Sequence, residues 1–73
     1  MRSSELGMSA MYRFLKKAGA ERVSDESADE LRRVVEEIAN SIARNAVEMA
    51  LHARRKTVKG EDVKLASRQF TRF

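Results

Sequence analysis

Apolar residues recur at Leu31, Val35, Ile38, Ile42, Ala46, Met49 and Ala53, in steps of 4, 3, 4, 4, 3 and 4. That is the spacing of one face of an α-helix. Val34, Ala39, Ala43, Ala50 and Leu51 widen the face, and neither proline nor glycine interrupts it from Asp25 to about Ala53. About 28 residues at ~1.5 Å rise make a rod of roughly 42 Å. A 73-residue chain folded as a globule has a radius of gyration near ~11 Å, hence a diameter of roughly 29 Å. The rod does not fit inside such a globule, and two short flanking segments cannot cover its stripe. Obligate dimerisation, with a second copy or a similar chain, is the expected solution.

The flanks read as shorter helices. Proline is absent, and glycine occurs only at positions 7, 19 and 60. Met8, Met11, Tyr12 and Leu15 share one face of a first helix running roughly from Met8 to Ala18. Gly19 suits a left-handed C-terminal cap, and Lys16 and Lys17 lie in the last turn, where the helix dipole favours cations. The segment "GAERV" is then a loop. Ser24 is a good N-cap for the long helix, and Asp25, Glu26, Asp29 and Glu30 follow near its positive dipole end. A third helix is expected from about Gly60 to Thr71. Val63, Ala66 and Phe70 lie on one face of it, Phe73 extends that face, and Glu61 and Asp62 fall in its first turn. With no repeat, low-complexity tract or linker, residues 1–73 read as a single all-α domain.

Charge narrows the function. Net charge is +4, distributed as +3 over residues 1–23, −4 over 24–51 and +5 over 52–73. Basic ends around an acidic middle point to a polyanionic partner touching the ends, although a solvated surface of mixed sign would show the same totals. Cysteine is absent and histidine occurs once, so no disulfide framework, metal site or cofactor is expected. No apolar run approaches the ~20 residues of a membrane span, and no secretory segment opens the chain. A soluble, intracellular protein without a membrane partner is expected. Nucleophile–base pairs, glycine-rich phosphate loops and metal clusters are missing, which argues against an enzyme.

The stretch "HARRKTVKGEDVKLA", His52 to Ala66, crowds cations between two helical patterns and then flips sign at Glu61-Asp62. Together with "AGAERVS" (Ala18 to Ser24), and with "VVEEIANSIARNAVEMA" between them, it closely resembles archaeal histones. The resemblance covers roughly Arg13 to Phe70. Three positions depart from the family's pattern. The chain opens with "SSELGMSAMY" rather than a proline-containing segment, Arg54 stands where a small residue, often glycine, is usual, and Gly60 stands where alanine is more usual.

The resemblance implies a histone fold: short helix, long helix and short helix, paired in a handshake dimer. It implies a protein that binds and wraps double-stranded DNA with little sequence preference, as dimers that join into larger nucleosome-like or superhelical assemblies. A homodimer or a heterodimer with a paralogue would serve, and a chromosome-associated cytoplasmic location follows. By the same resemblance, Arg22 enters the minor groove and Thr57 of the partner chain holds it. Lys56 and Arg13 contact phosphate. Arg55 either contacts DNA or braces the second loop by pairing with Asp62. Lys16 and Lys59 are further DNA candidates, with Lys17 beside them, and Arg54, an added cation, is another. Met49, His52 and the Asp62 of a neighbouring dimer would form the dimer–dimer contact. That contact is strongest while the imidazole is charged, so assembly should weaken as pH rises. Gly19, Glu30, Arg33 and Glu37 would lie between superhelical turns, along with Glu36, although a solvated acidic face explains the last four better. A second reading is a histone-fold subunit of a transcription or chromatin complex, working through heterodimerisation. A small sequence-specific helical regulator fits less well, because the central helix is too long.

Overall fold

The computed structural model describes residues 7–68. Three helices appear there in the order α1 (Met8–Lys17), α2 (Asp25–His52) and α3 (Gly60–Ser67), with no strand among the described residues. The expected ends hold to within a residue for α1 and α2. The third helix begins where expected. It ends at Ser67 with Arg68 as its cap, short of the expected Thr71; residues 69–73, with Phe70 and Phe73, lie outside the described residues. Residues 3–6 of the atypical opening also lie outside them, while its Gly7 to Tyr12 are described and lead into α1.

Packing divides the chain at Glu36 and Glu37 into two units, and α2 runs through both. In the first unit, α1 ends in a complete Schellman cap. The N–H of Gly19 donates to the carbonyl of Lys16, and that of Ala20 to the carbonyl of Leu15. Gly19 has φ +114°, a region that L side chains rarely adopt. The α2 start is capped as its sequence predicts: the Ser27 N–H donates to Ser24 Oγ at 3.0 Å. Met11 and Ala28 are the buried apolar residues of this unit among those described. The Tyr12 hydroxyl donates to Asp25 Oδ1, joining α1 to the first turn of α2.

In the second unit the buried apolar residues among those described are Ala46, Ala50 and Ala66. All are small, so little apolar area leaves water. Each unit instead displays large apolar groups. Val34 and Val35 in the first, and Ile38, Val47 and Leu51 in the second, are each more than a third exposed. The stripe that defines α2 is present: Val35, Ile38 and Ala53 of it are exposed, Leu31, Ile42 and Met49 are half-buried, and Ala46 is buried. At ~25 cal/mol per Å² of apolar surface, such a face is a standing drive toward association.

Candidate nucleic-acid interface

The first loop, residues 18–24, is shaped by the glycine cap at one end and the Ser24 cap at the other. A third tie runs across it: Lys16 Nζ donates to the carbonyl of Glu21 at 2.8 Å. Lys16 was expected to face DNA. Here its ammonium also holds the loop, a role its sequence position did not signal. The hydrogen bond with Asp25 raises the Tyr12 phenol above its ordinary value. Arg22, inside this braced loop, is exposed. Its side chain makes no hydrogen bond or ion pair among the described residues, and the same holds for the side chain of Arg13 on α1.

The second loop, residues 53–59, leaves α2 through another Schellman cap. The N–H of Arg54 donates to the carbonyl of Leu51 at 2.9 Å, and that of Arg55 to the carbonyl of Ala50 at 2.9 Å. The residue in the left-handed position is Arg54, at φ +60°. For an L-residue this conformation costs roughly 1–2 kcal/mol. Glycine would adopt this conformation without that cost; here an arginine adopts it.

Arg55 then crosses to α3. Its guanidinium forks onto Asp62, with Nη1 to Oδ2 and Nη2 to Oδ1 both at 2.9 Å. Nη1 also reaches the carbonyl of Thr57 at 3.1 Å. Asp62 accepts as well from the backbone N–H of Lys59 at 2.8 Å. A lysine side chain offers no acceptor, so only this reciprocal half of a capping box forms at α3. The Asp62 side chain is 5% exposed and that of Arg55 26%. Hydrogen bonding by Arg55, then by the Lys59 N–H, lowers the Asp62 carboxyl from its ordinary 3.8 to about 2. Of the two roles open to Arg55, the structure forms the brace. Lys56, Thr57 and Lys59 stay exposed outside it.

The remaining candidates lie on helices. Met49 is half-buried and His52 exposed; His52 shares an open hollow with Glu48 and Leu51. Arg33 pairs with Glu30 within α2, and Arg32 bridges Asp29 and Glu36 at 2.9 and 3.0 Å. Such pairs satisfy the acidic face of the helix locally. A Cβ at Gly19 would meet nothing within 4 Å, so within this chain the glycine answers to backbone conformation and not to space.

Chemically, the two loops offer rigid backbone with cations projecting from it, and no group of three or more metal-ligating side chains occurs among the described residues. Among the described residues no helix is long and apolar enough to cross a membrane. The profile of a family described as "Histone-like transcription factor (CBF/NF-Y) and archaeal histone" matches residues 4–66. A protein of Methanocaldococcus jannaschii named "Probable archaeal histone 3" is 52% identical over 65 residues, covering 89% of this chain and 97% of the relative. One of the subunits of the archaeal histone HAN1 of Thermococcus zilligii is 49% identical over 63 residues, covering 86% and 94%.

Proposed function

Since the chain belongs to the family of histone-like transcription factors and archaeal histones, we propose that it packages DNA as an archaeal-type histone. It binds double-stranded DNA with little sequence preference, wraps it as a dimer, and extends by dimer–dimer contact. Its place in the cell is then the chromosome. Both curated relatives are named archaeal histones, which favours this reading over a role confined to protein partners.

One observation carries the proposal. In each loop the bracing is done inside the chain, by Lys16 on Glu21 and by Arg55 on Asp62, and other cations are left exposed on the braced backbone. Cations held on rigid loops suit a regular array of phosphates. Arg22 is the minor-groove candidate, since a long planar cation matches the potential of a narrowed groove. In a handshake dimer the first loop of one chain lies beside the second loop of its partner, so Thr57 of one chain would steady Arg22 of the other. Lys56, Lys59 and Arg13 contact phosphate, with Lys16 adding its charge at the loop it holds.

Between dimers, Met49 and His52 form the apolar and polar parts of a contact with Asp62 of the next dimer. Asp62 already accepts three hydrogen bonds of the roughly four a carboxylate can take, which leaves one position for His52. Gly19, Glu30, Arg33 and Glu37 would meet only where successive turns of a superhelix approach.

Nuclease digestion of reconstituted complexes tests the function. Protected fragments in a regular ladder are expected, one step per added dimer. Absence of protection at any protein ratio would sink the packaging role. DNA affinity should also fall steeply between 50 and 200 mM salt, and a flat response would contradict backbone-led binding.

A further inference from the structure

The second loop keeps an arginine where its backbone disfavours one. Arg54 occupies the left-handed position of the cap that ends α2, at φ +60°. It is the one described residue other than glycine with positive φ. The geometry asks for glycine or asparagine, as the equivalent cap of α1 shows by using Gly19. A cost of this kind persists where the surrounding structure enforces it, and such residues gather at functional positions.

Nothing among the described residues repays it. Arg54 is exposed, and its guanidinium makes no hydrogen bond or ion pair among the described residues. Its neighbour Arg55 commits three of its five N–H donors to Asp62 and the carbonyl of Thr57, and its charge is matched by the Asp62 carboxylate. Attraction to the carbonyl end of α2 would be available to a cation in the last turn without a left-handed backbone.

We propose that Arg54 is a DNA-phosphate contact that the chain retains at the expense of its own stability. The inference rests on the DNA-packaging reading and deepens it. Arg55 supplies the brace of this loop, and Arg54 supplies the charge that Arg55, once bound to Asp62, no longer offers. The cap fixes the Arg54 backbone through two hydrogen bonds, so the guanidinium starts from a defined point and loses less freedom on meeting a phosphate.

The test compares the wild-type chain with Arg54→Gly, Arg54→Asn and Arg54→Lys. Each is measured for melting temperature and for affinity to duplex DNA of mixed sequence as a function of salt. Glycine and asparagine should melt higher than wild type. Their plots of log affinity against log salt should be shallower by about 1 per arginine, or about 2 per dimer. Over 50 to 200 mM salt the wild type should therefore lose roughly 12-fold more affinity than Arg54→Gly. Lysine should keep most of the salt slope and gain no stability. A glycine variant that melts higher but keeps the wild-type slope overturns the phosphate contact. One that melts lower overturns the account of strain. A wild-type chain that does not bind duplex DNA overturns both this inference and the packaging reading, whereas an unchanged slope with wild-type binding intact overturns this inference alone.

Discussion

Two positions in the chain do the same backbone job with opposite side chains. Gly19 and Arg54 each take the left-handed step after a helix, with matching pairs of hydrogen bonds. The consequences of substitution should therefore mirror one another. Gly19→Ala puts a side chain into a disfavoured region and should lower stability by about 1 kcal/mol, although no atom obstructs it. Arg54→Gly should raise stability by about the same amount, or roughly 4–8 °C in melting temperature for a chain of this size. Gly60 differs from both. It opens α3 in ordinary helical conformation with open space around its Cα, so Gly60→Ala should stabilise by roughly 0.4–1 kcal/mol. Thermal melts of the three variants side by side check all three signs. A loss on Gly60→Ala would mean that the start of α3 needs glycine for a reason other than backbone freedom.

At the scale of elements, the second loop and α3 form one unit through the Arg55–Asp62 fork. Its pH dependence follows from the Asp62 carboxyl, which falls to about 2 in the folded chain against about 3.9 in an unfolded one. A depressed folded value means the contribution is complete above about pH 4 and is lost as pH falls toward 2. Asp62→Asn should melt below wild type at neutral pH. Between pH 4 and 2 the wild type should lose stability faster, and the two curves should converge. Parallel curves across that window would remove the fork from the account. Much of this level was readable from the chain. The 4, 3, 4 rhythm and Ser24 set α2, and the glycine with its two lysines set the end of α1. The Arg55–Asp62 pairing was reached through family resemblance, because a seven-residue separation across a loop carries no periodic signal. The left-handed backbone of Arg54 was not legible: the usual marker of such a cap is glycine, so an arginine there signals a DNA candidate by its charge and nothing of its backbone. Nor was the tie from Lys16 to Glu21, since a lysine in the last turn of a helix already has a sufficient reason to be there.

For the whole molecule, the exposed stripe of α2 sets the terms. Among the described residues the buried apolar set is Met11 and four alanines, while Val34, Val35, Ile38, Val47 and Leu51 remain open to solvent. If these are the surfaces that a partner chain covers, stability is inseparable from concentration. The melting temperature should rise with each tenfold increase in protein, and Ile38→Asp should leave an unfolded or weakly helical chain at micromolar concentration. A melting temperature that does not move with concentration would contradict dimerisation as the source of the fold. The small buried set also bears on the lifetime of the protein in a cell. A chain with so little to hold it closed opens often, and an open chain is cut. If the chain works as the paired histone proposed above, newly made copies would be protease substrates until they pair, and the number reaching the chromosome would depend on how fast they find one another as well as on how fast they are made.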